Sequence, residues 1–346
     1  MKNGKYQIGI IGTGSIAGIH IIGWNALKDV EIAAVADPNP QNLSRTMKEL
    51  EIQQGFSDYN EMLKIEELDI IDICAPNIVH HSASIAALRA GKDVLCEKPL
   101  SISVENVEEM IAEANKAKKK IMAAQQQRFI PESILLKKMV DEGALGEIYF
   151  AECHALRRRG VPGRSTFISK ALSGGGPMFD IGVHILDFTL WMMGAPKART
   201  VSGVAYTKLA KREDIAGIWK REEYDVEDFA AGFVAFQDGR ALNLSTSFLA
   251  NQKEKEDFSA KLFGTEAGIH WPEMTLFRDE HKVQQDVTLH LNLKGAEQPH
   301  CREIREFFEA VQNNAPVPVD PEESLEVIRI LEAIYTSSES KKAVEF

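Results

Sequence analysis

Up to about residue 125, short apolar runs alternate with longer mixed stretches. Gln7–Ile11, Val30–Ala36, Leu68–Cys74 (Leu-Asp-Ile-Ile-Asp-Ile-Cys), Val94–Cys96 and Ile121–Ala124 are short and apolar, which predicts strands. Helices are predicted over Ser15–Leu27, Asn39–Leu50, Ile78–Ala90 and Ser103–Lys118, with Gly91 as the C-cap glycine that stops the third. Strands that alternate with helices predict parallel βαβ units in a doubly wound sheet.

The pattern changes after Glu132–Glu142, a predicted helix ended by Gly143. Ile148–Leu156 predicts a strand, residues 159–176 a loop rich in Gly, Ser and Arg, and Pro177–Met193 a single helix. Strand-like runs follow at Thr200–Thr207, Asp228–Phe236, Arg240–Leu249, Phe258–Phe263 and Val283–Leu293. Gln237-Asp238-Gly239-Arg240 predicts a hairpin turn, since Asp-Gly supplies positive φ angles. Successive strands of this kind predict an antiparallel sheet. Arg302–Gln312 and Pro321–Ser337 close the chain as helices with apolar residues at helical spacing. The expected class is α/β: a parallel Rossmann-type domain over residues 1–126, then an α+β domain over 127–346.

Length and composition agree with this division. A chain of 346 residues is long for one typical domain and suits two. It is 44% hydrophobic and 26% charged, an ordinary globular balance with no low-complexity tract. The net charge of −11 argues against nucleic acid, which needs a basic face. Lys116, Lys118, Lys119 and Lys120 cluster at a predicted helix end, where they complement the helix dipole. Cys74, Cys96, Cys153 and Cys301 have no C-x-x-C spacing, so neither a disulfide framework nor a metal site is indicated. Residues 1–7 contain no apolar signal segment, and no run of about 18 apolar residues occurs. A soluble cytoplasmic protein without a membrane partner is the expectation.

Candidate chemistry begins in the parallel half. Gly12-Thr13-Gly14-Ser15-Ile16-Ala17 is G-x-G-x-x-A, placed after the first strand and opening the first helix. Gly12 permits the tight turn, Gly14 lets backbone approach a pyrophosphate at the helix N-terminus, and Ala17 allows close packing. Asp37 ends the second strand about 20 residues on, where an acid binds both ribose hydroxyls and repels a 2′-phosphate. No arginine immediately follows, so NAD is favoured over NADP. Asp37 also suits a helix N-cap, and the two roles are compatible. Pro76, Asn77 and His80 follow the third strand, on the side that lines a cofactor crevice; Asn77 equally suits an N-cap, and His80 with His81 an exposed turn.

Lys98 stands at a strand exit between Glu97 and Pro99. Asp180 and His184 are four apart on the predicted Pro177–Met193 helix and share a face, with Asp187 close to it. Oxidation of a secondary alcohol needs a base near the hydroxyl, and a histidine pKa suits that task. A lysine cation beside the oxygen stabilises alkoxide character, and an aspartate orients the histidine or tunes the lysine. An i,i+4 Asp/His pair also occurs as a solvated surface interaction. Here Ile181, Val183, Ile185, Leu186 and Phe188 make the helix apolar nearly all round, which argues for burial or a cavity. Lys98 at the mouth of one domain and the pair on a helix of the other place the expected active site in the crevice between domains.

Taken together, the GTGSIA loop, Ala36-Asp37, Ala75-Pro76-Asn77 with His80, Glu97-Lys98-Pro99, and Gly174-Gly175-Gly176 followed by Asp180 and His184 resemble the family named after glucose–fructose oxidoreductase, inositol dehydrogenase and MocA. The resemblance spans most of the chain, and the E-K-P element with the downstream D-x-x-x-H is its most specific part. It implies that Lys98 lies beside the nicotinamide and the substrate hydroxyl, that His184 is the acid/base, and that Asp180 binds substrate and the lysine. It also implies an open antiparallel sheet at a subunit interface, hence a homo-oligomer, dimer or tetramer. Arg157-Arg158-Arg159-Gly160-Val161-Pro162 resembles the sugar-oxidising branch with levoglucosan and glucoside 3-dehydrogenases; its arginines either reach sugar oxygens or lie in a solvated loop. Arg128, in Gln127-Arg128-Phe129 at the domain junction, is a further candidate.

The expected cofactor contacts are Gly12, Gly14, Ser15, Ile16, Asp37, Pro76, Asn77, His80, Glu97, Lys98 and Gln126. The expected substrate contacts are Lys98, Arg128, Arg158, Asp180 and His184. The function expected is an NAD(P)-dependent dehydrogenase of a sugar, cyclitol or polyol. The alternatives are a glycoside hydrolase that works by transient oxidation and a non-catalytic nucleotide-sensing regulator.

Overall fold

The structure, a computed structural model, describes residues 4–346, so residues 1–3 of the leading segment lie outside the described residues. The first half runs β1 (Tyr6–Ile11), α1 (Ser15–Asn25), β2 (Val30–Ala36), α2 (Pro40–Leu50), β3 (Gly55–Phe56), α3 (Tyr59–Met62), β4 (Ile70–Ile73), α4 (Asn77–Arg89), β5 (Asp93–Glu97), α5 (Val104–Ala117) and β6 (Ile121–Ala124). A 3-10 turn at Gln126–Phe129 leads to α6 (Pro131–Asp141) and β7 (Ile148–Arg157). Then come α7 (Lys170–Ser173), a π-helical turn at Met178–Gly182, α8 (Val183–Met192), β8 (Ala198–Tyr206), β9 (Phe229–Phe236), β10 (Ala241–Ser247), β11 (Glu256–Gly264), β12 (Gly268–Trp271), β13 (Thr275–Glu280) and β14 (Val283–Thr288). The chain closes with α9 (Pro299–Gln312), α10 (Pro321–Ser340) and β15 (Val344–Glu345).

The first six strands form one sheet in the order β3-β2-β1-β4-β5-β6, every pair parallel. Chain order reverses between β1 and β4, the kind of switch point at which open α/β sheets bind ligands. Local chemistry sets the helix ends. Asn39 caps α2 by accepting from the N–H groups of Gln41 (2.9 Å) and Asn42 (3.2 Å), and Ser103 caps α5 through Asn106 N–H at 3.3 Å.

Two compact units pack separately. One comprises residues up to Phe129 together with Glu297–Leu325, the other Ile130–Ala296 with Glu326–Phe346. By packing, then, α9 belongs with the parallel sheet, although the sequence division at 126/127 groups it with the second domain. The reason is its apolar stripe. Ile304, Phe307 and Phe308 share a buried cluster with Ile8, Trp24, Val35 and Leu95. Gly23 on α1 permits this contact, because a Cβ there would stand 2.6 Å from Ile304. Each such buried side chain contributes about 1.5–3 kcal/mol relative to exposure.

The second unit is built on a nine-stranded sheet, β14-β13-β12-β11-β7-β10-β9-β8-β15. Alternation along β7 gives it one covered face (Ala151, Cys153, Ala155) and one open face (Glu152, His154). α8 lies on the covered face, with Phe188 against Trp271 at 4.4 Å between ring centroids. The sheet is mostly antiparallel, as predicted, but β7 and β10 pair in parallel. The long connection between those strands provides the crossover that parallel neighbours need. At the hairpin after β9 only Gly239 has a positive φ, +92°, so the turn is a longer loop closed by one left-handed glycine. β12 and β13 are absent from the periodicity because they are short, and β13 ends in the exposed charges Arg278, Asp279 and Glu280.

Candidate functional site

The glycine loop follows β1. Gly12 has φ +87°, and a Cβ on it would lie 2.6 Å from the Cys74 carbonyl oxygen at the end of β4. Its N–H donates to Ala36 O at 2.8 Å, which ties the loop to the end of β2. Gly14 precedes α1 in an extended conformation, no side chain caps the helix, and its first turn, starting at Ser15 and Ile16, holds no acid. Backbone N–H groups at such a helix start suit an anion.

Asp37 is buried at the end of β2 and faces this loop. Its carboxylate accepts from Thr13 N–H (2.7 Å), Thr13 Oγ1 (2.8 Å) and Asn39 N–H (2.8 Å). The helix cap is therefore Asn39, and Asp37 braces the loop instead. Arg45 of α2, which the sequence does not bring near the loop, donates to Thr13 O at 2.9 Å. Pro76 is exposed ahead of α4 and Asn77 opens that helix half-buried. Gln126 Oε1 is buried without a hydrogen-bond partner among the described residues. The Gly12 cradle, the uncapped helix start and this orphaned oxygen fit a dinucleotide.

His80 and Arg128 differ from their sequence expectations. His80 is fully buried, not in an exposed turn. Its Nδ1 lies 2.7 Å from Pro99 O and its Nε2 2.8 Å from Ala75 O, so the ring is wedged between the two strand exits, where a neutral imidazole donates to one of the two carbonyls. Burial lowers its pKa from the ordinary histidine value. Arg128, 3% exposed, pairs with Glu323 at 2.5 Å, so it is buried in an ion pair inside the unit. Arg158 is exposed after β7, and its guanidinium meets Lys253 O at 3.5 Å.

Lys98 is the one residue of the stretch from Lys92 to Leu100 that is not buried. Its backbone N–H donates to Glu97 Oε2 at 3.0 Å. Beneath it lies a polar cluster that the periodicity does not reveal. His20 of α1 is fully buried, with Nδ1 at 2.9 and 3.0 Å from the Asp72 carboxylate and Nε2 at 3.0 Å from Glu97 Oε1. Trp24 Nε1 donates to Asp72 at 2.7 Å. One signal was present: an acid inside the apolar run Leu68–Cys74 needs a buried partner. His20, Asp72 and Cys74 cluster closely enough to hold a metal ion. Burial pushes the Cys74 thiol up to about 12, so it stays protonated, and the Asp72 oxygens are already taken by N–H donors.

In the second unit the predicted single helix is two pieces, the π turn and α8. From Gly175 to Leu190 every residue is buried except Asp180 and His184. The wide π turn keeps these two on one side, and such turns recur at functional sites. Asp187 is fully buried. The glycines ahead of the turn serve close approach: a Cβ on Gly175 would meet the Tyr335 hydroxyl at 2.1 Å, and one on Gly176 the Glu227 carbonyl at 2.3 Å. Glu227, from the stretch before β9, is buried and accepts from Gly176 N–H (2.9 Å) and Met178 N–H (3.0 Å). Burial raises its pKa above the ordinary carboxylate range. It anchors the start of the segment that carries Asp180.

A family model described as an oxidoreductase family with an NAD-binding Rossmann fold matches residues 6–125, and its C-terminal alpha/beta domain matches residues 137–346. The chain belongs to this oxidoreductase family, the one named after glucose–fructose oxidoreductase, inositol dehydrogenase and MocA. This oxidoreductase is 30% identical to a D-glucoside 3-dehydrogenase of Escherichia coli (strain K12), over 100% of the chain and 99% of the relative. It is 22% identical to a scyllo-inositol 2-dehydrogenase (NADP(+)) of Bacillus subtilis (strain 168), over 98% of the chain and 95% of the relative. Its fold matches that of a levoglucosan dehydrogenase in complex with NADH and levoglucosan, with TM-score 0.86 at 21% identity over 99% of both chains. Among the described residues no helix is long and apolar enough to cross a membrane.

Proposed function

We propose that this oxidoreductase transfers a hydride between a nicotinamide cofactor and a secondary hydroxyl, or the matching ketone, of a sugar, cyclitol or polyol. One observation carries the reading. The two chain segments with the predicted catalytic residues are buried throughout except at Lys98, Asp180 and His184. Full burial of everything else on those segments keeps solvent out and leaves these three groups accessible. The names of the relatives, a glucoside 3-dehydrogenase and an inositol 2-dehydrogenase, support the substrate class.

In this reading residues 1–126 bind the cofactor and residues 127–346 provide the substrate and subunit contacts. Gly12, Gly14, Ser15 and Ile16 hold the pyrophosphate at the start of α1, Asp37 holds the ribose, and Pro76, Asn77 and Gln126 complete the cofactor contacts, while the two carboxylate oxygens of Glu97 go to His20 and the Lys98 N–H. NAD is preferred, because the buried Asp37 carboxylate opposes a 2′-phosphate. The bound nicotinamide supplies the hydride acceptor or donor. His184 takes the hydroxyl proton during oxidation and returns it during reduction. Lys98 stabilises negative charge on the same oxygen, Asp180 orients substrate and base, and Arg158 reaches further hydroxyls. The protein works in the cytoplasm as a homo-oligomer through the open sheet face, where Phe233 (45% exposed) and Val204 (40% exposed) are apolar.

The test is a panel of sugars and polyols incubated with NAD or NADP and followed by NADH or NADPH absorbance. Net reduced cofactor with one of them supports the reading. Cleavage of a glycoside with no net reduced cofactor would replace it with a hydrolase that recycles its hydride. Nucleotide binding with no turnover on any substrate would replace it with a sensor.

A further inference from the structure

The buried cluster under the exit of β5 is connected to Lys98 by one continuous chain of hydrogen bonds. Asp72 on β4 accepts from His20 Nδ1 at 2.9 Å and from Trp24 Nε1 at 2.7 Å. His20 Nε2 lies 3.0 Å from Glu97 Oε1, and Glu97 Oε2 accepts the Lys98 backbone N–H at 3.0 Å. His20 and Asp72 are fully buried and Glu97 is 8% exposed. A neutral imidazole donates from one nitrogen only. With a carboxylate at each nitrogen, the ring satisfies both contacts only as the imidazolium. Its charge then offsets one of two carboxylates that burial would otherwise penalise heavily.

We infer that His20 is a positioning residue: as a buried imidazolium clamped between Asp72 and Glu97, it fixes the Glu97 carboxylate and through it the backbone of Lys98. The inference rests on the proposed dehydrogenase reading, since it needs Lys98 to act on the substrate oxygen. The other groups facing the ring agree with it. Glu303 of α9 is fully buried and burial pushes its carboxyl well up, so it adds a neutral acid rather than a third negative charge. His300 beside it is pushed down by burial and then by the His20 charge. Cys74 remains a thiol. For His20 itself burial opposes the charge, while Asp72 and Cys74 together favour it, and the pKa is raised well above the ordinary histidine value. The geometry of the cluster thus sets His20 as the cation between the carboxyl groups of Asp72 and Glu97.

A clamp of this kind acts on turnover rather than on nucleotide affinity. Misplacing a reacting group by about 1 Å costs on the order of 10²-fold in rate. The test uses the full-length protein and a substrate found on the sugar and polyol panel. His20→Gln, which keeps one donor and adds no charge, is expected to lower kcat about 10²-fold while leaving Kd for NAD within about twofold of wild type. Glu97→Gln is expected to lower kcat similarly, and the double variant no further, because both break one chain. On the native protein, nitrogen-15 NMR of the imidazole is expected to show His20 protonated at both nitrogens at neutral pH. A wild-type kcat in His20→Gln, additive losses in the double variant, or a singly protonated His20 would each overturn the inference. If the variants fail to fold, the NMR of the native protein decides. A wild-type protein that binds NAD but turns over nothing overturns the dehydrogenase reading instead, whatever the state of His20.

Discussion

Asp37 accepts two hydrogen bonds from Thr13, from its backbone N–H at 2.7 Å and its hydroxyl at 2.8 Å. The end of β2 is thereby joined to the glycine loop, and Arg45 closes the same corner by donating to Thr13 O at 2.9 Å. The acid thus shapes the loop and sets its charge. Asp37→Ser is expected to weaken NAD binding by about 1.5–3 kcal/mol, the worth of hydrogen bonds to a charged group. The same change removes the repulsion of a 2′-phosphate beside a retained Arg45, so NADP binding is expected to improve relative to NAD. Titration of each nucleotide by fluorescence measures both; an unchanged NAD/NADP ratio would count against Asp37 as the discriminator.

His184 is predicted to move the hydroxyl proton and Lys98 to stabilise the charge left on that oxygen. His184→Ala and Lys98→Ala should each reduce kcat by roughly 10²–10⁴-fold, the range of general acid–base catalysis. Steady-state kinetics with a substrate from the panel provides the measurement. Full turnover in both variants would remove these residues from the chemistry.

Gly12 combines a positive φ of +87° with a would-be Cβ 2.6 Å from the Cys74 carbonyl. Gly12→Ala is expected to cost about 2–5 kcal/mol in stability from left-handed strain and overpacking together. A fall in the urea midpoint at unchanged slope would show it. Retained stability with retained NAD binding would mean that the loop relaxes away from β4.

Glu227 gives a pH dependence with a definite sign. Burial holds its carboxyl above the ordinary carboxylate range, so the folded protein keeps this proton more tightly than the unfolded chain does. Its contribution to stability is full below the unfolded value and is lost as pH rises through the folded one. Glu227→Gln should flatten that decline, seen as urea midpoints measured across the same pH window. Glu227→Ala should destabilise at every pH, because the Gly176 and Met178 N–H groups lose their acceptor at about 1–3 kcal/mol each. Parallel pH profiles for wild type and Glu227→Gln would show that this proton is not linked to folding.

Five of the six strands of the parallel sheet were legible because each is a short apolar run, and Gly91 marked a helix stop; β3, of two residues, and the single-turn α3 are too short to leave a period. β12 and β13 were not legible either, since β12 is only four residues long and β13 ends in exposed charges. Arg158 stood out only by the resemblance of its segment to a sugar-oxidising branch, since nothing in the local pattern separates it from the exposed arginine beside it. His80 shows the limit of reading a turn locally. Its neighbours resemble an exposed corner, while its ring is held by Pro99 O, nineteen residues on.

Local order in the chain was enough to place Lys98 at a strand exit and Asp180 four residues before His184, because period and turn chemistry depend on neighbours in sequence. Only the tertiary structure assigned α9 to the first unit, joined His20 to Asp72 and Glu97, and gave the Gly176 segment its anchor in Glu227. Those contacts join residues dozens to hundreds of positions apart. Each satisfies a buried charge or fills a gap left by a glycine, and neither demand has a period along the chain.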